Sequence, residues 1–553
     1  MLGLVIALVA TATVWASPGS AFVGMPGDPA AYAWFLGWTP HALQHGLNPL
    51  ETHLANAPYG ANLMWNTWVP LAGLLLSPVT LLFGPIASYN VLVAGSLMLN
   101  APAAFALTRR LTQDGRAALV GAACFGICPF VASQALGHPD FALAAYPPLA
   151  LALLIDAARG RRSPARVGLL LGLATAAQVL MGEEVLAITA IGLWILGAWL
   201  VVTERASLRA WAAGLARALP VAAVVTLLLA GLPLAWQLLG PQRVPGAFYS
   251  STVYSADLAG LLVATPASLV HEPLASVTSG WSGNLLESTA FVLPLVVAIV
   301  ALRRWWWPSR AARAALVVAC AGLALALGPT LHIGGVLTGV PGPARLLAHL
   351  PLVDKGLPVR LTLLADLGGA VVVGIALDRA LRDPVRPLRS LPLAILLAGT
   401  AALWLPAWPL SHFAPQHVPG ATAPSVLRAG DVVEFAPAPA VRPTAPMLWQ
   451  AQSSFRWSMR SAYLMSPQVA AEARGHRRDF SCLDSVGIER RGGSFVPTPC
   501  PSDLGPRLRA AGVTVVVAAP SPMQRSLAGQ ITPALGRPER RGGLLLWRVA
   551  PPA

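Results

Sequence analysis

The stretch FVGMPGDPAAYAWFLGW, Phe22 to Trp38, follows directly on an apolar run over residues 1–17. It holds one acid, Asp28, placed between Gly27 and Pro29 and ahead of Tyr32, Trp34, Phe35 and Trp38. Residues 18–85 contain no Lys or Arg. A carboxylate set just outside a hydrophobic segment, with no cation near it in sequence, needs a physical reason.

The surrounding chain supplies the setting. Its 553 residues are 55% hydrophobic and 11% charged, whereas an ordinary soluble domain is about 25% charged. Apolar runs of membrane-crossing length recur through the first three quarters. A bilayer offers the backbone no hydrogen-bond partners, so these runs should be helices. The formal charge of +15 does not point to nucleic acid. The arginines gather in short segments between apolar runs, which is the sidedness signal of a membrane protein.

Five basic segments carry that signal: 108–116, 158–166, 203–217, 303–314 and 382–389. Placing all five in the cytoplasm gives about 11 spans with the N-terminus inside and the C-terminus outside. The spans fall near 1–17, 86–107, 117–133, 141–157, 167–181, 185–202, 218–239, 289–302, 315–332, 363–381 and 390–408. The expected location is the bacterial cytoplasmic membrane. VPLAGLLLSPVTLLFG, residues 69–84, is apolar but short and contains Pro70 and Pro78. It reads as an external helix on the membrane surface, because a crossing there would invert every later basic segment. Met1 opens inside an apolar run with no basic residue ahead of it, so an upstream start is expected rather than a cleavable signal.

Residues 409–553 change character and form an expected extracytoplasmic α/β domain, leaving 1–408 as the transmembrane domain with 18–85 as its first external loop. DLGPRLRAAG reads as a helix, VTVVVAA as a buried strand, MQRSLAGQITPALG as a second helix and GLLLWRV as a last strand. Cys482 and Cys500 lie in this region, where an oxidising compartment would favour a disulfide between them.

Ahead of the C-terminal region, the external loops and helix mouths hold few acids: Asp28, Glu51, Asp140, Glu183, Glu184, Asp257, Glu272, Glu287 and Asp354. Acids at membrane depth are costly and default to functional candidates. The first loop also holds His41, His45, Asn48 and His53. Its Tyr32, Trp34, Trp38 and Trp65 suit either a sugar-stacking platform or an interfacial aromatic belt. GHPDF brings His138 and Asp140 between two spans, and LMGEEV places Glu183 and Glu184 at a helix start, where negative charge is favoured. The segment 333–362 carries Arg345, His349, Lys355 and Arg360, cations suited to a lipid phosphate. No zinc-spaced Cys/His set, HExxH, GxSxG or Walker loop occurs.

In this order of parts the chain resembles the GT-C class of membrane glycosyltransferases, with YfhO-type and actinobacterial envelope enzymes as near relatives. The features that carry the likeness are a first helix, a long loop opening on GD at 27–28, a surface helix, a second span ending in RRL at 109–111, and an external α/β domain. The resemblance implies a polyprenyl-phosphate-linked sugar as donor and a hydroxyl of an envelope lipid, glycan or protein as acceptor. It implies Asp28 as general base, attacking opposite the leaving group and so inverting. Arg360, Lys355, His349 and Arg345 would stabilise the leaving phosphate. His138, Asp140, Glu183 and Glu184 would orient the acceptor or hold a divalent cation. The family often shows two adjacent acids in the first loop, whereas here Pro29 follows Asp28. A non-catalytic envelope-assembly protein of the same fold, or a lipid or glycan transporter, are the competing readings. The transporter is disfavoured because Asp156, Asp366 and Asp378 lie near helix ends rather than midway.

Overall fold

The computed structural model describes residues 1–244, 250–271, 275–278, 281, 290–346, 356–383, 391–437, 444–473, 481–483, 488–491, 494–497 and 499–549. Six helices among them are long and apolar enough to cross a membrane: Ser77–Leu111, Gly115–Gln134, Pro139–Ala158, Glu184–Thr203, Trp211–Leu239 and Pro358–Leu381. Pro164–Val179 and Pro392–Trp404 are shorter apolar helices. The protein is a multi-pass membrane protein.

The chain forms two compact units. The first comprises Met1–Trp15, Val91–Gly231 and Gly246–Ser411 and holds most of the long helices. Their starts are fixed locally. Asp114 accepts from the Arg116 amide at 2.6 Å, and Ser309 accepts from that of Ala312 at 3.3 Å, so side chains satisfy amides that the first helical turn leaves over. Small residues bring helices together. A methyl group added to Gly168 would lie 2.6 Å from Val221 Cβ, and one added to Gly172 would lie 2.6 Å from Val225 Cβ. Close backbone approach through glycine is the packing available where lipid removes the hydrophobic drive between helices.

Acid–base pairs mark one end of this unit. Asp156 is gripped by Arg110, through Nε at 2.8 Å and Nη2 at 2.5 Å, and by Arg162 at 3.0 Å. Arg310 pairs with Glu204 at 2.9 Å. Asp140 and Asp156 lie toward opposite ends of the span Pro139–Ala158, of which the helix Tyr146–Ala158 alone is roughly 20 Å long.

Several expected boundaries change. The run 1–17 is α-helical only over Leu2–Ala10, followed by a 3-10 turn at Ala12–Val14. Residues 203–217 are not a loop. Arg205–Leu239 is one continuous helix, because Arg, Ala and Leu are strong helix formers. The expected span 315–332 ends early: Arg310–Ala326 is helical, Gly328 turns at φ +78, and Thr330–Ile333 is a strand. Residues 69–84 form a short helix, Pro70–Leu75, and the start of Ser77–Leu111, which breaks at Gly84 (φ 85, ψ 168).

The second unit comprises Ala16–Asn90, Leu232–Pro245 and His412–Ala553. Residues of the first loop cluster in this unit with the C-terminal segment. A five-stranded sheet runs in the order Glu539–Arg541, Leu544–Arg548, Val515–Ala518, Val432–Ala436, Ser458–Met459. The C-terminal helices Leu504–Ala510 and Gln524–Leu535 fall where the sequence put them, and Cys482 and Cys500 are joined in a disulfide.

Amide side chains tie the first loop to this sheet. Asn56 accepts from the Ala462 amide at 2.8 Å and donates to Leu464 O at 3.1 Å. Asn66 accepts from the Met465 amide at 2.6 Å. Backbone bonds Ala57 N to Met459 O (2.9 Å) and Met459 N to Leu54 O (2.8 Å) continue the sheet edge. These latches satisfy backbone groups that an open edge would leave exposed.

Candidate active site

In the second unit, Asp28 opens the helix Asp28–Gln44. Its turn is built by Gly27 at φ 137, a conformation that side chains rarely adopt. Thr444 Oγ1 donates to Gly27 O at 2.5 Å. Upstream, Asn90 accepts from Val23 N at 2.9 Å and donates to Pro18 O and Ala21 O at 2.9 and 2.8 Å. The half-buried Asp28 carboxylate is thus held on a short, braced chain at a helix start.

The aromatic residues that follow have a different role from the one expected of a sugar platform. Tyr32, Trp34 and Trp38 are 1%, 0% and 2% exposed. Trp34 and Trp38 stack at 5.7 Å, both meet Phe455 edge-on at 5.6 Å, and Trp34 Nε1 donates to Gln450 Oε1 at 2.6 Å. Gln450 in turn donates to Leu54 O and Trp457 O. These rings are core, with their polar atoms satisfied internally, and they present no face for stacking. Trp65 is half-buried and donates to Gln237 O at 2.9 Å. His41 lies 4.2 Å from the His45 ring and 4.6 Å from Phe455. Burial first, and the neighbouring His45 second, push its pKa down to about 4.

In the first unit a second group assembles. Glu184 begins the helix Glu184–Thr203. Its Oε2 meets Arg360 Nη1 at 2.6 Å and its Oε1 accepts from the Leu357 amide at 3.0 Å. Arg360, 8% exposed, stacks its guanidinium 3.9 Å from the centre of the Phe141 ring. Phe141 belongs to the turn Pro139–Ala142, whose carbonyls are held by Ser96 Oγ (2.9 Å to Pro139 O) and Asn100 Nδ2 (2.7 Å to Ala142 O). The buried Asp140 carboxylate lies against Gly182, which has φ +152. Gln178 closes that junction by accepting from the Gly182 amide at 2.8 Å and donating to Gly182 O at 2.9 Å. The buried His138 ring meets Phe141 edge-on at 6.4 Å.

Asp140, Glu184 and Arg360, from three separate segments, are therefore neighbours. Phe141 was missed in the sequence, although it adjoins Asp140. A ring's use as a cation platform depends on what packs over it. Arg345 is exposed on the 3-10 turn Pro343–Leu346. His349 and Lys355 lie outside the described residues, as do Glu272, Glu287 and Asp354. Asp257 is a structural acid: it accepts from the amides of Ala259, Gly334 and Gly335 at 2.7, 2.9 and 2.7 Å. Among the described residues no group of three or more His, Cys, Asp or Glu gathers. Glu184 is engaged by Arg360 and the Leu357 amide.

No family model matches the sequence, and no curated protein matches it. Solved structures do. The arabinofuranosyltransferase AftD from mycobacteria aligns with 99% of this chain at 17% identity and a TM-score of 0.54. A point mutant of AftD aligns with 99% at 17% identity and a TM-score of 0.53. ArnT from Cupriavidus metallidurans bound to undecaprenyl phosphate aligns with 99% of this chain and 97% of its own, at 14% identity and a TM-score of 0.48. The chain spans only 39% of the AftD chain. At such identities the likeness is one of fold: the chain shares the fold of the arabinofuranosyltransferase AftD.

Proposed function

We propose that the protein is an integral membrane glycosyltransferase that moves a sugar from a polyprenyl-phosphate donor to a hydroxyl of an envelope lipid, glycan or protein on the extracytoplasmic face. The observation that carries this reading is the Arg360–Glu184 pair on the Phe141 face beside Asp140, at the end of a helix body with the GT-C fold. A fixed, planar guanidinium is suited to phosphate oxygens, and a lipid phosphate leaving group needs charge stabilisation more than a proton. Arg360 is assigned to that phosphate, with Lys355, His349 and Arg345 as further cations of the same segment. Asp28 is assigned as the base that takes the acceptor proton while the acceptor oxygen attacks the anomeric carbon, with inversion. His138, Asp140 and Glu183 are assigned to orienting the acceptor.

The topology proposed with it has about 11 spans, an inside N-terminus and an outside C-terminal region. The cluster of Arg110 and Arg162 on Asp156 supports a cytoplasmic end opposite Asp140. The transporter reading loses ground for a related reason: Asp156 and Asp378 are bound to arginines at helix ends. The test is transfer from a labelled polyprenyl-phosphate sugar by purified protein in lipid. Asp28→Asn should insert normally and lose transfer, and undiminished transfer would remove Asp28 as base.

A further inference from the structure

The helix Arg310–Ala326 leads, after Gly328 and Pro329, into an antiparallel hairpin of Thr330–Ile333 and Val336–Pro341. Val336–Pro341 is exposed at all six positions. Ile333, Val336, Leu337 and Val340 are each more than half exposed, and so is Leu346 just beyond. Between Arg313 and Arg345 the chain carries no Lys, Arg, Asp or Glu. An exposed strand with apolar side chains on both faces is an aggregation hazard in water.

We propose that this hairpin is a membrane-interface anchor that rests at the boundary of headgroups and acyl chains. Three observations favour lipid over another occupant. The hairpin begins within four residues of the end of an apolar helix, the level at which such a helix leaves the hydrocarbon. Its apolar side chains project from both faces, which acyl chains wet equally and a flat protein surface does not. Its irregular register is closed from within: Thr338 Oγ1 donates across the hairpin to Leu331 O at 2.8 Å and accepts from the Val340 amide at 3.2 Å. Backbone groups satisfied internally are what a low-dielectric boundary demands.

The anchor also bears on Arg360. The Leu258 amide donates to His332 O at 3.0 Å, and the Val359 amide donates to Tyr254 O at 3.3 Å. Hairpin and Arg360 turn therefore hang on one five-residue segment, at most about 14 Å from end to end. Seating the hairpin in the interface sets the height of Arg360 relative to lipid phosphates. The inference rests on the membrane character of the chain and does not depend on sugar transfer.

The test places an environment-sensitive NBD label at Leu337→Cys or Val340→Cys, in a chain with Cys124, Cys128 and Cys320 changed to Ala, reconstituted in phosphatidylcholine nanodiscs. Both faces of a nanodisc are open to solvent. The reference is a label at Glu539→Cys, on an exposed strand. The expected result is emission shifted to the blue of the reference, with quenching by a shallow acyl-chain nitroxide lipid and loss of quenching by aqueous iodide. Iodide quenching equal to the reference would overturn the proposal, and so would protection from both quenchers, which would mean a protein cover. If the triple alanine chain fails to fold, the Cys320→Ala chain serves, with its unsubstituted labelling subtracted.

Discussion

Arg360 and Glu184 meet at 2.6 Å across 176 residues of sequence, with side chains 10% and 22% exposed. The contact joins the start of one long helix to the turn that opens another. Removing either partner leaves a charge in a poorly solvated place, which costs about 3 kcal/mol. Glu184→Ala and Arg360→Ala should each destabilise by about that amount, and the double variant by clearly less than the sum, with about 1–3 kcal/mol of coupling. Unfolding in detergent measures all three, and additive losses would show that the pair does not bind in solution.

Phe141 separates two contributions to Arg360. Phe141→Leu keeps the volume and removes the ring face, worth about 1 kcal/mol at a partly desolvated cation. Under the proposed function this variant should raise KM for the lipid-phosphate donor several-fold with kcat nearly unchanged. Steady-state kinetics with the donor varied checks it, and an unchanged donor KM would remove Phe141 from the donor site.

The buried indoles make a stability prediction that a sugar platform would not. Trp34→Ala should cost about 3–5 kcal/mol by opening a cavity in the core, while Trp34→Phe, which retains most of the packing and loses the bond to Gln450, should cost about 1–2 kcal/mol. Folded Trp34→Phe protein should keep its substrate KM. A KM rise without loss of stability would show that the ring meets ligand.

Gly27 is a backbone requirement without a steric one. A methyl group there would meet nothing within 4 Å, yet the residue holds φ +137. Gly27→Ala should therefore destabilise by about 1–3 kcal/mol through conformation alone. Thermal unfolding reads the effect, and a neutral result would mean the turn relaxes freely.

His41 gives the second unit an acid-side sensitivity. An unfolded histidine titrates near 6.5, and His41 is pushed down to about 4 in the fold. Between those values the unfolded chain holds the extra proton, so stability is intact above pH 6.5 and falls as pH drops toward 4. His41→Phe should flatten that part of the stability profile. An unaltered profile across this window would place the sensitivity elsewhere.

The sequence by itself determined the membrane class, the centres of the six long apolar helices, and the two strands and two helices it placed between residues 503 and 549. Each of those follows from local hydropathy and period, which a contiguous window contains. It also singled out Asp28, Asp140, Glu184 and Arg360 as costly charges in an apolar chain. Only the tertiary structure decided what they touch. The pairing of Arg360 with Glu184 and the latch from Trp34 to Gln450, 416 residues away, depend on packing between distant segments. The same holds for the aromatic residues after Asp28: a tryptophan's identity is equal in a core, a belt or a sugar site, and burial alone separates them. Nor does hydropathy show that residues 18–85 fold with the C-terminal sheet, because asparagine side chains and backbone edges make that union, and their partners are chosen by geometry rather than by polarity.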